Sequence, residues 1–343
     1  MKLFDLTPAI PSSLLPYWQL LGTRENDVEA TEELYLLHQF KGDGFTARHY
    51  QQRTGKYTMQ ELFWLHPDDS PEQKTRHSCP GILIPFYHPD EMCGFHPCDG
   101  SLVSTPQPTV LFAFHLVRLG FSVLCSEAYP YNLISRPQEC DIDEFSWWPC
   151  AAKAFPSFYP NWCGMGKLTS DAATALNFLA TRPEIDAQRL GVMGHSLGGK
   201  IAFYLAIFDQ RIRVAVANDF GLRFEQSNWD APWYWTAERL QRLQKAGISH
   251  GSMLAERPTL SLLVIGGEYD DATSDEELEI ARKSRRLRLD GDPAALRLYV
   301  HGTGHVPNFA ALEAAYRFFG EQFHLQLPEK LDFSLPLSPL TPL

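Results

Sequence analysis

The stretch that decides the fold reads Leu190-Gly191-Val192-Met193-Gly194-His195-Ser196-Leu197-Gly198-Gly199-Lys200. An apolar run enters it, and a helical pattern at residues 201–208 leaves it. Its centre is a Gly-x-Ser-x-Gly motif, which is typical of a sharp strand-to-helix turn that exposes the serine at the top of a parallel sheet. The sequence therefore predicts Ser196 as a nucleophile. The free N–H groups of the following helix can stabilise a developing negative charge, which makes the N–H of Leu197 a candidate oxyanion donor.

Apolar strands alternate with helical patterns on both sides of this stretch, which predicts an α/β fold with a doubly wound, mostly parallel sheet flanked by helices. Two further runs, Phe45–Tyr50 and Tyr57–Leu65, predict an antiparallel N-terminal hairpin. We expect a single domain over residues 1–343, and a short helix over residues 30–40. Three segments are expected beside the core elements of this domain. They are an N-terminal extension at about 1–44, an insertion loop at about 127–166 and an aromatic loop at about 219–236.

Composition excludes several classes of partner. The net charge is -11, with 41 acidic against 30 basic residues, which argues against nucleic acid and anionic membranes. No run approaches the roughly 18 apolar residues that a membrane-spanning helix needs, and the first eight residues have no apolar signal-peptide core. Seven irregularly spaced cysteines favour free thiols, so we expect a cytoplasmic protein. Residues 1–40 are expected to pack across the sheet or to contribute to an interface, and a homo-oligomer stays open.

The run from Asp171 to Lys200 resembles the α/β-hydrolase superfamily, in particular its dienelactone-hydrolase and acetyl-xylan-esterase-like branch. The motifs that carry this resemblance are an Arg-Pro-x-x-Asp turn at residues 182–186 and an Arg-Leu-Gly at 189–191 that leads into Gly-His-Ser-Leu-Gly-Gly. The superfamily resemblance extends over about residues 45–324. It implies a catalytic serine, acid and histidine in that order along the chain, and no cofactor.

The acid and the base are expected after the later strands. The resemblance places the acid at Asp270, in the loop that follows the predicted strand 260–265, with Asp271 as the alternative and Glu268 less favoured. It places the base at His305, after the last strand, whereas His301 at the end of that strand is interpreted as structural.

The resemblance also implies an oxyanion N–H in the loop after the predicted strand 81–85, where Tyr87 is our choice and Phe86 the alternative. Two aromatic loops are expected to surround the site, because loops at the carboxyl ends of parallel strands do so. The alternative is that their tryptophans pack only against each other. The residues predicted to form the substrate pocket are Phe86, His195, Trp147, Trp148, Trp229, Trp233 and Trp235.

Cys and His side chains can bind zinc. Four of them, His88, Cys93, His96 and Cys98, lie within eleven residues. The spacing matches no usual zinc pattern, so no metal is predicted.

Together these features predict a serine hydrolase that cleaves a small-molecule carboxylic ester, preferably one with a short acyl chain, through an acyl-enzyme intermediate. One alternative is a peptidase of the same fold, although the chain has no propeller-sized N-terminal domain. The other is a non-catalytic binding or scaffold protein. The Ser, Asp and His in the expected order argue against this second alternative.

Overall fold

The computed structural model describes residues 10, 12–22, 33–68, 79–104, 107–133, 144–333 and 337–343. Within these residues ten strands form one sheet. Their bounds are β1 Leu34–Gly42, β2 Phe45–Gly55, β3 Thr58–Pro67, β4 Cys79–Phe86, β5 Ser122–Glu127, β6 Ile185–His195, β7 Ile212–Asn218, β8 Ser261–Gly266, β9 Leu296–Val300 and β10 Thr341–Pro342. The spatial order is β10-β1-β2-β3-β5-β4-β6-β7-β8-β9.

The sheet has a parallel part and an antiparallel part. Strands β5, β4, β6, β7, β8 and β9 pair in parallel, whereas β1, β2, β3 and β10 are antiparallel additions. The predicted mostly parallel sheet is confirmed, and the predicted hairpin corresponds to β2 and β3. The helix expected over residues 30–40 is wrong, because Leu34–Gly42 pairs with β2 along its length. Residues 23–32 lie outside the described part of the chain.

Helices cover both faces of the sheet. Their bounds are α1 Leu15–Leu21, α2 Phe112–Arg118, α3 Glu144–Phe158, α4 Gly164–Ala180, α5 Leu197–Phe208, α6 Ala237–Lys245, α7 His250–Ala255, α8 Asp275–Arg285 and α9 Phe309–Gln322. Apolar side chains of α4 and α5 form a core against one face, and those of α2 and α9 form a second core against the other. This two-sided burial explains why the parallel strands are almost continuously apolar.

The predicted insertion loop contains more structure than expected. The insertion at about 127–166 includes α3 and the start of α4, while residues 134–143 lie outside the described part. No helix in the described ranges is long and apolar enough to cross a membrane.

The carboxyl ends of four parallel strands meet at one edge of the sheet. His195 of β6 pairs with Asn218 of β7, which pairs with Ile265 of β8. Gly266 of β8 then pairs with Val300 of β9. The loops that follow these strands therefore lie side by side, as binding loops do in open α/β sheets.

Candidate active site

The turn between β6 and α5 has the geometry of a nucleophile elbow. Ser196 has φ 54° and ψ -114°, a backbone conformation that non-glycine residues rarely adopt. A Cβ atom on Gly194 would lie 2.0 Å from the carbonyl oxygen of Gly198, and one on Gly198 would lie 2.2 Å from that of Pro85. Both positions therefore require glycine, and the strand-turn-helix context that the motif predicts is present.

The same close packing brings the end of β4 against the elbow. Because Gly198 contacts the Pro85 carbonyl, the backbone that continues into Tyr87 runs beside the N-terminus of α5. Leu197 is the first residue of that helix, whose N-terminal N–H groups carry partial positive charge. Leu197 and Tyr87 stay the predicted oxyanion donors.

His305 lies in the loop after β9, and its partner is Asp219, the residue that follows β7. The Nδ1–H of His305 donates to Oδ2 of Asp219 over 2.5 Å, and the Asp219 side chain is fully buried. With the proton on Nδ1, the Nε2 atom has a free lone pair and can accept a proton. The other rings beside His305 belong to His195, with centroids 4.5 Å apart, and to Tyr269, at 4.8 Å.

The second oxygen of Asp219 binds the backbone of the neighbouring loop. Its Oδ1 accepts four N–H bonds, from Gly267, Glu268, Tyr269 and Asp270, at 2.8–3.0 Å. Burial raises the pKa of Asp219, but the hydrogen bonds from His305 and from this backbone outweigh burial and lower the pKa to about 2. Asp219 is therefore ionised at neutral pH.

The expectation that Asp270 orients His305 is wrong. Asp270 is fully buried and accepts backbone N–H bonds from the loop after β7. Burial raises the pKa of Asp270 against the effect of these donors. The alternatives do not contact His305 either. Asp271 caps a short helix through the N–H of Thr273, and Glu268 contributes its N–H to Asp219.

Asp219 was missed because the resemblance places the acid one strand later. Its local signal resembles that of Asp270, since both lie shortly after a buried parallel strand. Listing every acid at the carboxyl ends of the parallel strands would have included it.

Ser196 and His305 line the same cavity, which has a volume of about 570 Å³. That size is within the range of sites for small molecules. Trp148 and Trp233 are among its walls, and their rings meet edge to face with centroids 5.3 Å apart. The side chain of Trp147 lies outside the described residues. The remaining lining residues are Tyr87, Glu91, Tyr131, Pro149, Lys200, Asn228, Tyr234 and Tyr269.

Two of the predicted pocket tryptophans are core residues instead. Trp229 is 0% exposed and its Nε1–H donates to the Gly221 carbonyl at 2.7 Å. Trp235 is 1% exposed and donates to the Tyr204 hydroxyl at 2.9 Å. A buried indole needs an acceptor for its N–H, and here both acceptors lie inside the protein, which turns the two rings away from the cavity.

Phe86 and His195 were also predicted to line the pocket, but both are buried behind it. The Phe86 ring packs against Tyr87, with centroids 4.4 Å apart, and stacks on His195. The Asn218 amide donates to Nδ1 of His195 at 2.5 Å. Burial and the neighbouring His305 lower the pKa of His195 to about 3, so its ring is neutral and supports the His305 ring by packing.

The sequence and the fold are similar to those of known hydrolases. The model of the Dienelactone hydrolase family matches residues 109–232, a segment that includes both Ser196 and Asp219. A glucuronoyl esterase from Solibacter usitatus superimposes with a TM-score of 0.64 at 12% identity, covering 93% of this chain and 95% of that one. The chain is similar to this family over that segment, and it shares the fold of the esterase.

Two further similarities extend over most of the chain. Acetyl Xylan Esterase 1 from Thermoanaerobacterium sp. JW/SL YS485 has a TM-score of 0.58 at 15% identity, covering 92% of this chain and 96% of that one. The Bacillus subtilis (strain 168) protein named "Putative hydrolase YtaP" is 24% identical over 256 residues, which are 72% of this chain and 79% of that protein. The resemblance to the dienelactone-hydrolase and acetyl-xylan-esterase-like branch is confirmed.

A buried lysine also lies beside the elbow, which sequence reasoning did not single out. Lys200 is one helical turn after Ser196 and lines the cavity, although it is only 2% exposed. Its Nζ donates to the Phe220 carbonyl at 2.9 Å and to Ser227 Oγ at 2.8 Å, and lies 4.8 Å from the centre of the Trp229 ring. Burial lowers the pKa of Lys200 to about 7, although the carboxylates of Asp270 and Asp219 oppose that shift.

The Cys and His residues weighed as a metal site have separate partners. His88 contacts Glu127 and His96 contacts Asp90. Cys93 is buried and donates to backbone carbonyls, whereas Cys98 is exposed. Among the side chains that the structure describes, no group of three or more His, Cys, Asp and Glu is arranged to hold a metal ion.

Proposed function

We propose that this protein is a serine hydrolase that cleaves a carboxylic ester of a small molecule through Ser196, His305 and Asp219. The observation that carries the proposal is the 2.5 Å hydrogen bond from His305 Nδ1 to the buried Asp219 carboxylate, at a cavity that Ser196 also lines. A serine hydroxyl is a poor nucleophile unless a base removes its proton and a third group orients that base.

The proposed reaction proceeds in two halves. Asp219 holds the proton of His305 on Nδ1, so that Nε2 accepts the Ser196 proton as Oγ bonds to the ester carbonyl carbon. The N–H groups of Leu197 and Tyr87 stabilise the resulting oxyanion. His305 then gives its proton to the departing alcohol, which leaves an acyl-enzyme on Ser196. Water repeats these steps and releases the acid.

The proposed substrate has a short acyl chain and a flat or ring-shaped group. Tyr87, Trp148 and Trp233 line the cavity together with Ser196, and aromatic faces pack well against rings and sugars. Two proteins of similar fold are a glucuronoyl esterase and an acetyl xylan esterase, and these names agree with an ester on a carbohydrate. We therefore propose acetate to butyrate esters, with a ring or sugar as the alcohol.

Covalent labelling tests the proposal directly. A fluorophosphonate should form a single adduct on Ser196, located by peptide mass spectrometry. Ser196→Ala should abolish both the adduct and the turnover of p-nitrophenyl acetate, with a loss of kcat of about 10⁶. Retained turnover by the folded variant would remove the central claim, and an unlabelled wild-type protein would favour the non-catalytic alternative. A series of p-nitrophenyl esters from acetate to decanoate tests acyl length, and a preference for decanoate would contradict the short-chain proposal.

A further inference from the structure

We propose that Asp270 is a positioning residue for the triad, which fixes the loop Asp219–Leu222 so that the Asp219 carboxylate meets His305. This inference rests on the proposed function. Its basis is a reciprocal set of hydrogen bonds between the loops that follow β7 and β8, in which each loop supplies one aspartate to the other.

Asp270 binds three consecutive N–H groups of the loop that carries Asp219. Its Oδ2 accepts from Phe220 and Gly221, both at 2.8 Å, and its Oδ1 accepts from Leu222 at 2.6 Å. The Ser274 hydroxyl donates to the same Oδ1 at 2.9 Å. Four donors therefore surround one fully buried carboxylate, and three of them are backbone groups within three residues of the proposed triad acid.

Asp219 in turn accepts hydrogen bonds from the loop that carries Asp270. Its Oδ1 accepts the N–H groups of residues 267–270, and the last of these is the N–H of Asp270 itself. This leaves Oδ2 of Asp219 for His305. A shift of either loop therefore breaks bonds to both carboxylates, so the position of Asp219 depends on Asp270.

Three other side chains donate hydrogen bonds to the carbonyl groups of the same loop. Lys200 donates to the Phe220 carbonyl at 2.9 Å, and the Trp229 indole to that of Gly221 at 2.7 Å. The Nδ1–H of His250 donates to the Leu222 carbonyl at 2.6 Å. Trp229, in the buried part of the aromatic loop, therefore helps to hold the loop Asp219–Leu222.

The loop needs this support because its backbone is strained. Asp219 has φ 45°, and Gly221 has φ 79° with no space for a Cβ beside Ser227. In Asp270→Asn one of the two oxygens becomes an amide NH2, so the donors that this oxygen accepts would lose their partner, and the loop would relax to recover hydrogen bonds. A displacement of about 1 Å at a catalytic group can cost about 10²-fold in rate.

The main experiment compares Asp270→Asn with Asp209→Asn. Asp209 is an equally buried carboxylate at the opposite end of β7, where it binds Arg211. Asp270→Asn should lower kcat by about 10- to 100-fold with KM nearly unchanged. The acidic limb of its kcat/KM profile should move to lower pH, because the negative charge of the Asp219 carboxylate would then lie farther from the proposed base. The other groups that face His305, His195 and Tyr269, stay in place.

Asp209→Asn should lower the unfolding temperature without moving the acidic limb of the kcat/KM profile. An unmoved limb in folded Asp270→Asn would overturn the proposal. If that variant does not fold, Ser274→Ala removes one donor to the same carboxylate while keeping its charge, and it should move the limb in the same direction by less. An unmoved limb in Ser274→Ala would then overturn it.

A double variant tests whether Asp270 acts through Asp219. In an Asp219→Asn background, Asp270→Asn should reduce kcat by much less than it does alone, since residues that act as a unit are not additive. Additive losses would overturn the inference. Its failure is separable from that of the proposed function, because fluorophosphonate labelling of wild-type Ser196 reports the latter independently.

Discussion

Asp219→Asn is the substitution that most sharply separates this triad from the one expected by resemblance. The four backbone N–H groups that bind Oδ1 require an oxygen at that position, so the new side chain should keep its oxygen there. Its amide nitrogen must then face Nδ1 of His305, where a carboxylate oxygen now accepts at 2.5 Å. An amide donor at that place requires the imidazole proton to move to Nε2, and Nε2 can then no longer accept the proton of Ser196.

The expected loss in kcat is about 10⁴, or about 5 kcal/mol of transition-state stabilisation. The fold should be retained because the same four N–H groups stay satisfied. Steady-state turnover of p-nitrophenyl acetate gives kcat, and thermal unfolding followed by circular dichroism checks the fold. Asp271→Asn is the control, because that side chain is exposed and caps a neighbouring turn, and its kcat should match wild type. The reasoning is refuted if Asp219→Asn stays within about tenfold of wild type while Asp270→Asn loses about 10⁴.

Two further predictions concern the tryptophans and acid stability. Trp233→Ala should change the ratio of kcat/KM for hexanoate and acetate esters at an unchanged melting temperature, whereas Trp229→Phe should keep that ratio and lose about 1–2 kcal/mol of stability in urea unfolding, because the buried Gly221 carbonyl loses its donor. The opposite pattern would reverse their assignments. The Asp219 pKa, lowered to about 2 because hydrogen bonds from His305 and the backbone outweigh burial, lies below the ~3.9 of an unfolded chain. Ionised Asp219 should therefore contribute on the order of 2 kcal/mol above about pH 4, and this contribution should be lost as pH falls toward about 2. Urea unfolding at several pH values should show the stability difference between wild type and Asp219→Asn shrinking over that range, and a constant difference would contradict the stated origin of the shift.

Residues defined by their immediate neighbours in the chain were placed well from sequence. The conformation of the elbow around Ser196 depends on glycines within two residues. The position of His305 depends on the loop directly after β9. Both requirements are local, so a single sequence displays them.

The acid could not be chosen in this way. Asp219 and Asp270 both follow buried parallel strands, and the difference between them arises from which carboxylate oxygen meets which backbone N–H across two loops. The same limit applies to the aromatic loop. Trp233 and Trp229 look alike in sequence, but the Trp229 indole finds its acceptor on a carbonyl eight residues away and is drawn into the core. For β1, pairing with β2 outweighed a local pattern that also fits a helix.

The exchange of aspartates between neighbouring loops has a consequence for protein engineering. A chain with an ionisable group at each of two adjacent strand ends has a carboxylate at either one. Moving the acid role from Asp219 to Asp270 would require the hydrogen bonds of both loops to be exchanged together. An engineer who moves a triad acid between these strands would therefore have to redesign the two loops as a pair.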